Sequence, residues 1–176
     1  RNFIKKSSLS AASLYMASAI ACSQEKENSS SGGVYMGDFA APKLEKIKIA
    51  IIGVGARGSG HARQLASIAG TEIVGIADLY KDLVDRAVNS CKKVGEGRHQ
   101  NIMSFSGEEN LWKKMLGEVK PDMVVIATNW ENHAPMALET MKQGAHAFVE
   151  VPIAVTLDEM WEIIDTSEQT QKHCMM

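Results

Sequence analysis

Cysteine and net charge are both scarce in this sequence, and each scarcity excludes a class of protein. The three cysteines, Cys22, Cys91 and Cys174, are too widely spaced to form a metal-binding pair, and their odd number gives no disulfide framework. We therefore expect no metal site. The formal net charge of −2 gives no electrostatic reason to expect nucleic acid or an anionic membrane as a partner. Because 45% of the 176 residues are hydrophobic, the chain can still bury a core.

A long apolar run is also lacking, because residues 9–21 are too few to cross a bilayer as a stable helix. With three basic residues before it, this stretch predicts an export signal over residues 1–22. The letters RNFIKK resemble a twin-arginine signal without its first arginine, and AIAC, which ends at Cys22, resembles a lipoprotein cleavage box. We expect a bacterial protein that is exported to the periplasm or held in the membrane by a lipid anchor on Cys22. The alternative is an ordinary amphipathic N-terminal helix.

Residues 23–43 are polar, rich in Ser and Gly and without periodicity, so we expect a flexible linker there. Residues 44–176 then alternate between short apolar runs and stretches with the apolar spacing of helices. This alternation predicts an α/β fold, a doubly wound parallel sheet with helices on both faces, in which ligands bind at the carboxyl ends of the strands. Strands are predicted over residues 47–52, 72–77, 102–105, 121–127 and 145–150. The last helix is predicted to open with a capping box from Thr156 to Glu159 and to carry on one face Leu157, Met160, Trp161 and Ile164.

The first apolar run ends at the letters GVGARG, in which Gly53, Gly55 and Gly58 form the pattern G-x-G-x-x-G. Gly53 permits a tight turn, Gly55 lets a pyrophosphate approach the backbone because it has no Cβ, and Gly58 lets the following helix pack closely on the strand. The free N–H groups and the partial positive charge at the start of that helix favour phosphate. Three glycines alone are weak evidence, but the strand before them and the helix after them are the context that a dinucleotide-binding unit requires.

Asp78 ends the second apolar run about 20 residues after the last glycine, which is the spacing of the acid that binds ribose in such units. A carboxylate there accepts hydrogen bonds from both hydroxyls of the adenosine ribose and repels a 2′-phosphate. The predicted cofactor is therefore NAD rather than NADP. The alternative is that Asp78 only caps the next helix.

Two further strand ends carry polar residues that would face the same edge of the sheet. A loop is predicted from Thr128 to His133, in which Thr128, Asn129 and Trp130 could contact the cofactor. For His133 two interpretations stay open: a site residue, or a partly exposed residue whose pKa is lowered by the helix dipole. Glu150, at the following strand end, is well placed to hydrogen-bond the nicotinamide ribose.

His61 and Trp112 are interpreted as packing residues. A single histidine on a helix is more often a surface or packing residue than a ligand, and Trp112 has the spacing of a core residue in its helix. Neither is assigned to the site.

Together these features resemble the glucose-fructose oxidoreductase/inositol dehydrogenase superfamily (Gfo/Idh/MocA), which implies a Rossmann NAD-binding domain over residues 44–176. The resemblance is carried by GVGARG, Asp78, the letters TNWENH and the sequence Glu150-Val151-Pro152. Ordinary dehydrogenases of that superfamily have Glu-Lys-Pro where this sequence has Glu150-Val151-Pro152, and the lysine acts as general acid/base. Val151 cannot transfer a proton. The resemblance therefore implies NAD binding without ordinary reversible alcohol oxidation.

One branch of the superfamily departs in the same way, glycoside hydrolase family 109, which comprises NAD-dependent α-N-acetylgalactosaminidases. The letters GARGSGH, IADLY, TLDEMW and HCMM in this sequence all resemble that branch. The resemblance implies that C3 of the sugar is oxidised by hydride transfer, which acidifies the C2 proton; the aglycone is then eliminated, water adds and the hydride returns. The net reaction is hydrolysis with no net redox change, and it does not use the paired carboxylates of most glycosidases.

The resemblance carries over cofactor contacts only, to Gly53, Gly55, Arg57, Gly58, Asp78, His133 and Glu150. The catalytic residues are unknown; they are expected downstream of Met176, in a second α+β substrate domain that this chain lacks and that could also form a homo-oligomer. We expect the chain to bind NAD without turning over a glycoside. Two alternatives stay open: an NAD-dependent sugar oxidoreductase, which net NADH production would identify, and a non-catalytic NAD- or sugar-binding lipoprotein.

Overall fold

The computed structural model describes residues 35–176, so the predicted export signal, Cys22 with its lipid and the first part of the predicted linker lie outside the described residues. The strands are β1 (Ile47–Ile52), β2 (Thr71–Asp78), β3 (Met103–Ser106), β4 (Met123–Ile126), β5 (His146–Val149) and β6 (Cys174–Met175). The helices are α1 (Ala56–Ser67), α2 (Lys81–Val94), α3 (Leu111–Val119), α4 (Trp130–Lys142) and α5 (Leu157–Thr170).

The strands form one sheet in the order β3-β2-β1-β4-β5-β6, and every pairing is parallel. The chain moves outward from β1 to β3, crosses back to β4 and then moves outward in the other direction. The chain segments that follow β1 and β4 therefore leave in opposite directions. A crevice opens between them at the carboxyl ends of these strands, where such sheets bind ligands. The predicted doubly wound parallel sheet is confirmed.

Helices cover both faces of the sheet because its central strands are apolar on both sides. Alternate residues of β1 enter two separate cores. Ile49 and Ile51 pack with α1 and α2, whereas Ala50 and Ile52 pack with α3, α4 and α5. All four are almost fully buried, and burial of each isoleucine side chain stabilises the fold by roughly 1.5–3 kcal/mol.

Helix α4 begins earlier than the sequence predicted. The predicted loop from Thr128 to His133 is wrong from Trp130 onward, because Trp130 is the first residue of α4. The N–H of Asn132 donates to the carbonyl of Asn129 at 3.0 Å and closes the first turn. Glu131 places a negative charge in that turn, which the helix dipole favours.

Helix α5 has the predicted capping box. The hydroxyl of Thr156 accepts a hydrogen bond from the N–H of Glu159 at 3.2 Å, and the Glu159 carboxylate accepts one from the N–H of Thr156 at 3.0 Å. The buried residues of the helix are Ile163 and Thr166. The predicted apolar stripe is exposed, with Leu157 73%, Met160 42%, Trp161 63% and Ile164 45% accessible.

The last strand, β6, was not predicted. It pairs with β5, and the N–H of His173 just before it donates to His146 Nδ1 at 2.9 Å. Phe39, in the predicted linker, lies against the His173 ring with the centroids 5.2 Å apart. No helix among residues 35–176 combines the length and apolar character that a membrane span requires.

Candidate functional site

A cavity of about 470 Å³ opens at the carboxyl ends of the strands, between β1, β2, β3 and β4. A cavity of this size can take a ligand as large as a nucleoside. Five of the predicted cofactor contacts line it, namely Gly53, Gly55, Asp78, Thr128 and Asn129. Its other walls are mainly apolar and include Ile52, Leu79, Leu83, Phe105, Leu111, Trp112 and Met136, with Glu108 and Glu109 among the polar lining residues.

The glycine turn between β1 and α1 leaves no room for side chains at two positions. Gly53 has a φ of +84°, and a Cβ on it would lie 2.5 Å from the carbonyl oxygen of Ala127. A Cβ on Gly58 would overlap the carbonyl oxygen of Gly53. Gly55 differs from both, because no atom lies within 4 Å of the position of its Cβ. The turn is therefore held tightly against the sheet and has open space only in front of Gly55.

Asp78 connects this turn to the end of β2. One carboxylate oxygen of Asp78 accepts a hydrogen bond from the N–H of Val54 at 2.8 Å, and the other accepts one from the N–H of Tyr80 at 3.1 Å. Asp78 does not cap the next helix, since the N-cap of α2 is Tyr80 and no side chain caps it. Each carboxylate oxygen retains a second lone pair, so the half-buried group can still accept hydrogen bonds from a ribose in the cavity.

Thr128 and Asn129 form the other wall of the crevice, at the end of β4. The Asn129 side chain donates to Glu131 at 2.9 Å and accepts from the Asn132 amide at 2.6 Å, which fixes its orientation. Trp130 is 63% exposed at the start of α4 and does not line the cavity. The structure therefore groups Thr128 and Asn129 with the glycine turn and leaves Trp130 outside.

His133 is buried, with 1% of its surface exposed, so the prediction of a partly exposed residue is wrong. Its Nδ1 lies 2.7 Å from the carbonyl oxygen of Pro152, and its Nε2 lies 3.1 Å from that of Thr128. The side chain thus bridges the strand ends of β4 and β5. It does not reach the cavity, and its place in the fold is that of a support beneath the two loops.

Glu150 lies just beyond β5, outside the cavity, and contacts α1. Its Oε1 is 2.7 Å from His61 Nε2 and 3.9 Å from Arg57 Nε. Its Oε2 accepts a hydrogen bond from the N–H of Val151 at 3.3 Å. The hydrogen bond from His61 is the main cause that lowers the pKa of Glu150 below its ordinary value; the backbone N–H and Arg57 act in the same direction. Glu150 is therefore ionised at neutral pH.

Sequence reasoning missed two features of this edge. His61 was interpreted as a packing residue, yet it makes the shortest contact to Glu150. The available signal was its position four residues after Arg57, which puts both side chains on one face of α1. Trp112 is in the core as predicted, 8% exposed, and it also lines the cavity.

The arrangement fits NAD. The turn that excludes side chains at Gly53 and Gly58, and leaves open space at Gly55, is what a pyrophosphate needs at a helix N-terminus. No side chain caps that N-terminus and no acidic residue lies in its first turn. Asp78 and the apolar walls of the cavity would hold the adenosine half. Glu150 lies outside the cavity, at the carboxyl end of β5.

Several curated proteins are similar to this chain in sequence. A glycosyl hydrolase family 109 protein of Akkermansia muciniphila is 51% identical over 145 residues, which are 82% of this chain and 30% of that protein. An alpha-N-acetylgalactosaminidase of Shewanella oneidensis is 44% identical over 147 residues, 84% of this chain and 31% of that protein. The resemblance to glycoside hydrolase family 109 is confirmed. The chain spans less than a third of the length of these relatives.

Among solved structures, scyllo-inositol dehydrogenase from Lactobacillus casei with bound NAD(H) and scyllo-inositol is similar with a TM-score of 0.61. The identity is 21%, over 74% of this chain and 35% of that one, so this likeness shows the fold. The profile of the family GFO_IDH_MocA, described as "Oxidoreductase family, NAD-binding Rossmann fold", matches residues 47–176. The chain therefore belongs to the Gfo/Idh/MocA oxidoreductase family, residues 47–176 are its NAD-binding Rossmann fold, and the predicted cofactor, NAD, is confirmed.

Proposed function

We propose that this chain is the NAD-binding part of a glycoside hydrolase that acts on α-N-acetylgalactosaminides without net oxidation. The observation that carries the proposal is Val151, which is 59% exposed beside Glu150 at the carboxyl end of β5. An ordinary dehydrogenase of the family needs a lysine at this position to take the proton from a substrate hydroxyl. The name of the Shewanella oneidensis relative, 44% identical to this chain, supports the same substrate class.

In this proposal the chain binds and orients the cofactor, and other residues of a longer protein move the protons. The bound cofactor would supply reversible hydride transfer at C3 of the sugar. The glycine turn would hold the pyrophosphate, Asp78 the adenosine ribose and Glu150 the nicotinamide ribose. Val151 offers no proton acceptor at the edge next to Glu150, so the acid and base would come from outside these 176 residues.

The test is a two-channel assay on the full-length gene product as purified. The protein is incubated with 4-nitrophenyl α-N-acetylgalactosaminide while nitrophenolate release and absorbance at 340 nm are followed together. Many turnovers of nitrophenolate without accumulating NADH support the proposal. NADH that accumulates in step with sugar consumed would identify the oxidoreductase instead. No signal in either channel would favour the non-catalytic binding protein or a different sugar as substrate. The matched control substrate is 4-nitrophenyl α-galactoside, which lacks the N-acetyl group.

We also propose that the protein is exported and that Cys22 carries a lipid anchor, as the letters AIAC and the basic start of the sequence suggest. The test compares the wild-type protein with Cys22→Ser after cell fractionation. A wild-type protein in the membrane fraction and a variant released from it would support the anchor. Equal distribution of the two proteins would overturn it.

A further inference from the structure

The Glu150 carboxylate follows strand β5, but the side chains that orient it belong to helix α1. His61 and Arg57 are four residues apart on α1 and both point toward Glu150 Oε1, at 2.7 Å and 3.9 Å. The two contacts are unequal. Arg57 has 81% of its side chain exposed and stands beyond hydrogen-bond distance, whereas the His61 and Glu150 side chains are only 30% and 21% exposed. His61 therefore makes the defined contact.

The backbone around Glu150 is anchored independently of that contact. The N–H of Glu150 donates to the carbonyl of Ile126 at the end of β4, at 2.9 Å. Two residues on, the carbonyl of Pro152 contacts the buried His133. With the backbone held at both points, the remaining freedom is rotation of the Glu150 side chain. The N–H of Val151 restrains Oε2 at 3.3 Å, and the shorter bond from His61 restrains Oε1 at 2.7 Å.

The chemistry of the pair assigns the proton. An ionised carboxylate only accepts hydrogen bonds, so Nε2 of His61 must be the donor. In the described part of the chain Nδ1 of His61 makes no hydrogen bond, and a neutral imidazole is sufficient. An imidazolium would keep the same bond.

We propose that His61 is a positioning residue that holds the Glu150 carboxylate in the orientation needed to accept from the nicotinamide ribose. The contact joins the helix whose N-terminus would bind the pyrophosphate to the strand end that would bind the nicotinamide half. The inference rests on the proposed function, in which Glu150 contacts that ribose.

The first test is a double-mutant cycle in which NAD is titrated calorimetrically into the chain. His61→Ala is expected to weaken NAD binding about tenfold, because a charge-assisted hydrogen bond that orients the acceptor is lost. His61→Gln, which keeps a donor, is expected to recover part of the affinity. In the Glu150→Gln background, His61→Ala is expected to change the affinity less than about twofold, since the two residues act as one unit. Gln64→Ala, an exposed change on the same helix, is the control and should bind NAD as the wild type does.

The second test needs no cofactor. Carbon-13 NMR follows the titration of the Glu150 carboxyl in the free chain. Since His61 is the main cause of the lowered pKa of Glu150, His61→Ala is expected to raise that pKa toward the ordinary value and His61→Gln to raise it less. The Gln64→Ala control should leave the titration where it is.

An equal loss of NAD affinity on His61→Ala in both backgrounds would overturn the proposal, because His61 would then act without Glu150. An unchanged Glu150 titration in His61→Ala would also overturn it. If Glu150→Gln alone binds NAD as the wild type does, Glu150 is no cofactor contact and the positioning role falls. The two-channel assay would then still decide the hydrolase function by itself.

Discussion

The Asp78 carboxylate accepts a hydrogen bond from the backbone N–H of Val54 at 2.8 Å, across 24 residues of sequence. The acid at the end of β2 thus fixes the second residue of the glycine turn as well as facing the cavity. This bond holds the glycine turn against the end of β2. We therefore expect Asp78 to affect NAD binding in two ways, through the ribose and through the shape of the turn.

Replacement of Asp78 should test both contributions. Asp78→Ala removes the acceptor for the Val54 N–H and the acceptor for the ribose, so we expect NAD affinity to fall by about ten- to a hundredfold. NADP should lose much less, because the negative charge that repels its 2′-phosphate is also removed. Titration of both nucleotides into the wild type and the variant measures the ratio of the NAD affinity to the NADP affinity in each protein. An unchanged preference for NAD over NADP would contradict the role given to this carboxylate.

Gly55→Ala should separate binding from folding. Nothing lies within 4 Å of the position of the new Cβ, so we expect the free energy of unfolding to change by less than about 1 kcal/mol. The methyl group would occupy the approach of the pyrophosphate, and NAD affinity should fall more than about tenfold. Denaturant unfolding and NAD titration on the same preparation give both quantities. A variant that binds NAD as tightly as the wild type would place the pyrophosphate elsewhere.

Gly58→Ala should affect folding first. Its Cβ would overlap the Gly53 carbonyl, so α1 must move away from the sheet, at an expected cost of about 1–3 kcal/mol in the free energy of unfolding. The matched control is Gly60→Ala in the same helix, where a Cβ meets no atom within 4 Å. That change should be neutral or should stabilise the helix by up to about 1 kcal/mol. Equal stabilities of the two variants would show that α1 packs less closely than the structure has it.

The thiols of Cys91 and Cys174 should be unreactive in the folded chain. Burial raises the pKa of each to about 11. The thiolate is the reactive form. Its fraction at pH 8 is about a hundredfold smaller for a thiol with a pKa of about 11 than for one with a pKa of 9.0. We expect iodoacetamide at pH 8 to leave both residues unmodified in the native chain and to alkylate both in guanidinium chloride, as read by peptide mass spectrometry. Rapid alkylation of Cys91 in the native chain would contradict its packing against α1.

The alternation of strands and helices and the cofactor turn were predictable because they depend on local patterns. The apolar run of β1, the glycines after it and Asp78 at the end of β2 lie within 32 consecutive residues, 47–78, and each has a separate steric or electrostatic reason. The same holds for the Thr156–Glu159 capping box. These features can be read in sequence because each is formed by residues that are neighbours along the chain.

The contact between His61 and Glu150 could not be predicted in this way. The two residues are 89 positions apart, and only the folded chain brings α1 next to the strand end after β5. His133 was misplaced for a different reason. It shares a face of α4 with Ala137 and Met141, both fully buried, and this spacing would have predicted its burial if the helix had been extended back to Trp130.

The apolar stripe of α5 shows a limit of periodicity. The spacing of Leu157, Trp161 and Ile164 predicts a helix face, and the face exists. Periodicity does not say which partner covers that face, and in this chain it is Ile163 that packs on the sheet while the stripe is exposed. The strand β6 was missed because two residues are too few for a pattern.

In the proposed function NAD takes part in a hydrolysis that passes through loss of the C2 proton. The most direct measurement is hydrolysis of 4-nitrophenyl α-N-acetylgalactosaminide by the full-length gene product in D₂O, followed by proton NMR of the released sugar. Elimination of the aglycone removes the C2 proton, and water addition returns a deuteron from solvent, so the account predicts deuterium at C2 of the product. Released N-acetylgalactosamine that keeps its original proton at C2 would contradict the account, because direct displacement at C1 never breaks that bond.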